Sequence, residues 1–288
     1  MKVILTRLLY IHVLLIVFPL HAESLVWKVT KGNDYLYIGG TIHMLAKKDY
    51  PLPVEYERAY RKVSQLVLET DMQRLQQPEV QAQLLKQMTY QGSDTLEKHL
   101  KPATWKKLSA YLQKKHVSIE SFRSFKPAMV ILTITLLEVM EQVDVNNGVD
   151  TYFSNRALQD GKVLGKLETV EEQLAFLVSM GEGNEDEAIL YTLQEAVHFR
   201  EMFMQMKNAW KAGDLEAFKD IALYPMQKDF PDVYQSLLVS RNNAWLPRIE
   251  ALLTTPEIEM VLVGALHLVG KESLLAKLKT RGYQVERL

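Results

Sequence analysis

The chain has 288 residues, a formal net charge of −1, no cysteine, and 48% of its residues in the hydrophobic set. That length suffices for one large domain or two small ones. The balanced charge argues against nucleic acid as a partner, and the lack of Cys excludes disulfides and thiolate metal sites. A domain of this size is stable without such staples, so the missing cysteines do not argue against export.

Residues 1–22 read as a signal segment and residues 23–288 as the folded domain. Lys2 and Arg7 form a positive start. Leu8 to Leu20 is apolar apart from His12, and Leu20-His21-Ala22 offers a cleavage site before Glu23. The run falls short of the about 20 apolar residues that a confident membrane span needs. The expected location is periplasmic or extracellular, with membrane contact only if the segment stays uncleaved.

In the domain, Leu25 to Thr30 and Tyr35 to Gly39 read as strands joined by the hairpin signal Lys31-Gly32-Asn33-Asp34. Pro53 opens a helix through Tyr60, and Val63 to Asp71 reads as a strand. Side chains alternate on a strand, so Glu69 and Asp71 share a face there. Two carboxylates on one face need solvent, a partner or a metal. We assign a functional role to Glu69 and a helix cap to Asp71.

The middle is mostly helical. Pro102 starts one helix, and Ala128 to Leu137 is a short apolar helix expected in the core. Lys162 to Lys166 is a strand, followed by the capping-box pair Thr169 and Glu172. Glu168, at that strand-to-helix junction, reads equally as a loop acid or a functional one. Ile189, Leu193, Ala196, Phe203, Met206 and Trp210 recur at helical spacing across Glu185 to Trp210. The cluster Met202, Met204 and Met206 suits core packing or an adaptable binding face. Gly213-Asp214 stops that helix and caps the next. Met260 to Gly264 is a strand, Lys271 to Arg281 a helix, and Tyr283 to Arg287 a last strand. The expected fold is α/β: a single domain with a mixed central sheet built from N- and C-terminal strands and a long helical insertion.

Two quartets carry the functional signal. Gly40-Thr41-Ile42-His43 follows Tyr35-Leu36-Tyr37-Ile38, and Gly264-Ala265-Leu266-His267 follows Met260-Val261-Leu262-Val263. In each, a strand runs into a glycine turn and presents an imidazole. Ligands of α/β sheets sit beyond the carboxyl ends of strands. Two imidazoles there bind a divalent metal, or one serves as a base. The pairing suggests that the fold brings the two ends of the chain into one site. Of the other histidines, His12 and His21 fall in the signal segment. His99 and His116 sit in Lys-rich stretches, and His198 is off the apolar stripe of its helix.

The wider pattern resembles the TraB/GumN family, whose animal relatives are the TIKI metalloproteases. The residues that carry the resemblance are Tyr37 to His43, Tyr50-Pro51-Leu52-Pro53, Leu66 to Asp71, Lys126-Pro127 and Gly148-Val149-Asp150. They continue with Leu167 to Gln173, Trp210 to Asp214, Arg241 to Trp245, Val263 to Gly270 and Arg281-Gly282-Tyr283. Leu266 departs from the smaller residue common at that place in the family, which affects local packing and leaves the Gly-x-x-His pattern intact. The resemblance implies an extracellular metal-dependent peptidase.

On this reading His43, Glu69 and His267 hold a divalent ion, with Mn, Co, Zn or Fe all compatible. Glu69 is a ligand or the general base. Arg241 stabilises an oxyanion or a substrate carboxylate, or alternatively forms a surface ion pair. The partner is a peptide or protein substrate. The alternative is a non-catalytic envelope protein that binds a peptide or a metal. Convergence of Glu69 with both histidines would favour catalysis; Glu69 pointing into a salt bridge elsewhere would favour binding.

Overall fold

The structure is a computed structural model and describes residues 24–144 and 147–288. The signal segment assigned to residues 1–22 lies outside the described residues.

Six strands form one mixed sheet. β1 (Val26–Lys31) and β2 (Asp34–Thr41) make the expected hairpin, with Lys31 opposite Asp34 and Gly32 turning at φ +64°. β3 (Gln65–Leu68), β4 (Val163–Lys166), β5 (Glu259–Gly264) and β6 (Gln284–Arg287) complete it in the order β4-β3-β5-β2-β1-β6. β4, β3, β5 and β2 run parallel, while β1 pairs antiparallel with both β2 and β6. The continuous apolar run Met260 to Val263 explains the central place of β5. It is buried on both faces, as parallel strands are. Both ends of the chain and one strand from its middle thus build the sheet, with helices filling the intervals.

The carboxyl ends of the four parallel strands form one edge. Thr41 pairs with Gly264, and Leu68 pairs with both Leu262 and Lys166. β3 is shorter than the Val63-to-Asp71 strand expected: it stops at Leu68, and the Asp71 side chain accepts the Arg74 N–H at 3.0 Å to cap Met72–Leu75. Glu69 therefore lies just past the strand, in the turn where its carbonyl accepts the Glu168 N–H at 2.8 Å.

The helices follow their sequence signals. The amphipathic stretch forms Glu185–Ala212, ended by Gly213 at φ +68° and followed by the Asp214 cap on Ala217. Its buried Lys207 donates to Asp49 at 2.9 Å, which pins the segment after His43 to the helix. Thr169 and Glu172 form the reciprocal capping box. The apolar helix runs Pro127–Val139, and only part of its surface is buried: Leu136 is exposed, while Val130 and Ile134 join a second small core with Leu108, Leu112 and Ile189. Among the described residues no helix is long and apolar enough to cross a membrane. The closing helix is Leu274–Thr280, shorter than the Lys271-to-Arg281 helix expected, because the Ser273 side chain caps it by accepting the Ala276 N–H at 3.2 Å. Arg241 opens the helix Arg241–Leu252 directly after a wide π turn, Gln235–Ser240. Such a turn rotates the side chains that follow it relative to a regular helix.

Candidate functional site

The two Gly-x-x-His quartets lie side by side at the carboxyl edge of the sheet. In the first, the strand continues through Gly40 to Thr41; in the second, it ends at Gly264 and Ala265–Leu268 forms a 3-10 turn. Gly40 permits this contact, since a Cβ there would stand 3.2 Å from the Ala265 Cα. The Gly40 carbonyl accepts from Trp210 Nε1 at 2.7 Å and from the Tyr56 hydroxyl, so the first turn is held from behind.

Gly264 marks the centre. A Cβ on it would lie 3.3 Å from Glu69 Oε1, 3.6 Å from His43 Nε2 and 3.6 Å from the His267 ring. The missing side chain is thus the space that the three expected site residues share. The Gly264 N–H also donates to Glu69 Oε1 at 2.7 Å.

The two imidazoles have different surroundings. His43 is exposed, its side chain 58% accessible, and its Nδ1 lies 3.1 Å from Asp150 Oδ2. Asp150 gets there because Gly148 lets the chain press against the His43 carbonyl. A Cβ on Gly148 would stand 2.2 Å from that oxygen. The negative charge of Asp150 outweighs desolvation and raises the His43 pKa to about 9.

His267 is buried. Its Nδ1 lies 2.7 Å from Asn242 Oδ1, and its Nε2 lies 3.2 Å from Arg241 Nη1. A guanidinium only donates, so Nε2 accepts, and Nδ1–H donates to Asn242 Oδ1. Burial, aided by the Arg241 and His43 charges and opposed by Glu69, lowers the His267 pKa to about 3.

Arg241 ties the acids together. Its Nη2 donates to Glu69 Oε2 at 2.7 Å and to Glu168 Oε1 at 2.7 Å, and its Nε donates to Glu168 Oε2 at 3.1 Å. Trp245 lies under the guanidinium at 4.4 Å and donates its own N–H to Glu168 at 3.0 Å. Burial opposes ionisation of Glu69, but cationic neighbours and the Gly264 N–H outweigh it and hold the carboxyl at about 2. His267 is neutral near pH 7, so there the cationic neighbours are Arg241 and His43. Glu168 shifts the other way: burial raises it more than Arg241 lowers it.

His43, Glu69, His267 and Arg241 are therefore all brought together. Glu69 converges with both histidines, and its salt bridge is to Arg241 of the same site and not elsewhere. His99, His116 and His198 are exposed, and His99 pairs with Asp94 and stacks on Tyr90. Sequence reasoning did not assign roles to Asp150 or Asn242, the residues that orient the two rings, nor to Trp245. The signal was adjacency to motif residues: Gly148-Val149-Asp150 and Arg241-Asn242-Asn243-Ala244-Trp245. Glu168, weighed evenly, belongs to the site.

The donors suit a divalent ion in kind. Both imidazoles have Nδ1 tied to an oxygen, the usual support behind a metal-binding Nε2, and Glu69 Oε1 is 3.9 Å from His267 Nε2. In position they are not closed around an ion. Among the described residues no three His, Cys, Asp or Glu form such a group, and Arg241 Nη1 occupies the lone pair of His267.

A cleft of about 570 Å³ opens from this cluster, with Ile42, Met44, Met72, Phe176, Phe203 and Leu237 among its walls. The arrangement defines a class: a mixed α/β protein with a polar, charge-balanced site where parallel strands end, beside an apolar cleft. The chain belongs to the TraB/PrgY/gumN family, which it matches over residues 25–287. No curated protein and no solved structure is significantly similar to it.

Proposed function

We propose that the protein is an exported, metal-dependent hydrolase of the peptidase class, acting in the periplasm or outside the cell. The observation that carries this reading is the shared space at Gly264, faced by His43 Nε2, the His267 ring and Glu69 Oε1, with each imidazole held from behind by Asp150 or Asn242.

His43, Glu69 and His267 would hold the ion, whether Mn, Co, Zn or Fe. A bound divalent ion lowers the pKa of its water to about 7 and so supplies a nucleophile at neutral pH. The chain's own groups do the rest. Arg241 would stabilise negative charge developing on the substrate carbonyl oxygen by turning one N–H from its present partners, Glu69, Glu168, His267 and the Leu237 carbonyl, which together engage every donor of the guanidinium. Glu168 and Trp245 hold the guanidinium in place for that task. Asp150 fixes the His43 ring so that Nε2 faces the shared space, and the apolar cleft beside it offers a seat for the substrate.

The test uses purified protein stripped of metal and given Mn, Co, Zn or Fe separately, with a mixed peptide library read by mass spectrometry. The expected result is cleavage with at least one ion, lost in both His43→Ala and His267→Ala. Folded protein that cleaves nothing with any ion would favour a second reading, a peptide- or metal-binding envelope protein. One observation supports that alternative: both Glu69 oxygens are already engaged, by Arg241 and by the Gly264 N–H.

A further inference from the structure

The charged groups of the cleft are confined to one wall. His43, Glu69, Asp150, Arg241 and His267 line that end, while Met44, Met72, Phe176, Phe203, Met206 and Leu237 are among the side chains that line the rest. A buried apolar space next to a polar site sorts ligands by the apolar surface they offer. Its volume of about 570 Å³ falls within the range of about 300–1,000 Å³ typical of pockets for small ligands. Methionines on three separate segments, Met44, Met72 and Met206, let the wall adapt to differently shaped side chains. Phe176, Met206 and Leu237 are only half-buried, so they present surface to whatever enters.

The polar wall narrows the choice of occupant. It carries both signs: Arg241 and His43 beside Glu69 and Asp150. An amide, with a donor and an acceptor, matches such a wall. A fatty carboxylate finds no unpaired cation there, since His43 is paired with Asp150 and Arg241 with Glu69 and Glu168.

We propose that this cleft selects peptides with a bulky aromatic or aliphatic side chain beside the bond presented to the polar wall. The proposal rests on the hydrolase reading only for what happens to the bond; the selection itself is a binding property. Specificity lies in Phe176 and Met206, half-buried side chains of the cleft wall.

The test is calorimetric binding to the full chain of two blocked pentapeptides, Ala-Ala-Phe-Ala-Ala and the same with Asp at the centre, and of decanoate. Cleavage of both peptides is followed separately by mass spectrometry. We expect the Phe peptide to bind about ten-fold or more tighter than the Asp peptide, as burial of one aromatic side chain implies. Phe176→Asp and Met206→Glu, each with the parent's melting transition, should each weaken the Phe peptide about ten-fold. Equal affinity for the two peptides, or decanoate bound in preference to the Phe peptide, overturns the proposal. Tight Phe-selective binding without cleavage after Mn, Co, Zn or Fe is added in turn upholds it and counts against the hydrolase reading. Cleavage of both peptides at equal efficiency does the reverse.

Discussion

The two Gly-x-x-His turns are alike in sequence and opposite in environment. His43 stands in solvent against a carboxylate and holds its proton to about pH 9; His267 is enclosed against a guanidinium and an amide and stays neutral down to about pH 3. The motif sets the backbone path and places the ring. The charge on the ring is set by residues far away in the chain: Asp150 for one, Asn242 and Arg241 for the other. A repeated motif is thus evidence for a shared place and not for a shared role.

The sharpest way to break this asymmetry is Arg241→Ala. It removes the cation that Glu69 and Glu168 share and leaves two buried acids facing each other. Loss of one partner from a buried charge cluster costs about 3–5 kcal/mol, measurable by urea unfolding. Arg241→Lys should recover only part of this, because an ammonium lacks the planar five-donor guanidinium that reaches Glu69, both oxygens of Glu168 and His267 at once.

Asn242→Ala comes next. The amide is buried, accepts a hydrogen bond from His267 Nδ1–H through Oδ1, and donates to the Glu272 carbonyl at 2.9 Å. Groups left unpaired there should cost about 1–3 kcal/mol. Arg241 still requires Nε2 to accept, so the ring should keep its tautomer while Nδ1–H loses its acceptor, which nitrogen chemical shifts of His267 would report.

Gly264→Ala should cost less in stability, about 1 kcal/mol from crowding, yet it fills the space that Glu69, His43 and His267 share. Ion uptake by the metal-free protein, followed by calorimetry, should fall about ten-fold or more, on the scale of altered ligand positioning. Unchanged uptake would place any ion elsewhere.

Asp150→Asn has the smallest expected effect on stability and the clearest spectroscopic one. In metal-free protein the His43 pKa should fall from about 9 towards its ordinary 6.5, read by NMR titration. The sign follows from the raised value: the pair stabilises the fold below pH 6.5, and the contribution is lost as pH rises through 9. His267 contributes in the opposite sense. Its depressed value means stability is lost as pH falls below 6.5 towards 3, where the unfolded chain takes up the proton first. Water around the exposed His43 ring screens its pair, so the acid-side loss should be the larger of the two.

Much of the fold was legible because its signals are local. The hairpin at Gly32, the Asp71 and Thr169 caps and the Gly213 stop each depend on neighbouring residues, and each formed as expected. The errors were at element ends: β3 stops before Glu69, and the last helix starts three residues late at its Ser273 cap. There the apolar pattern runs on past the point where hydrogen bonding ends the element. Within the site, His43, Glu69, His267 and Arg241 stood out by residue type and motif. Asp150 and Asn242 did not, because an acid or an amide on a helix looks the same whether it faces water or an imidazole.

By itself, the sequence determined that two strand-turn-imidazole units exist and that helices fill most of the interval between them. Periodicity and turn chemistry are short-range properties, carried by residues a few positions apart. Only the tertiary structure decided that β5 inserts between β2 and β3, bringing both turns and Glu69 to one edge. It also decided which imidazole is charged, and that Arg241 joins Glu69 to Glu168. Burial and Coulomb interactions depend on distance in space, and no spacing along the chain encodes that distance.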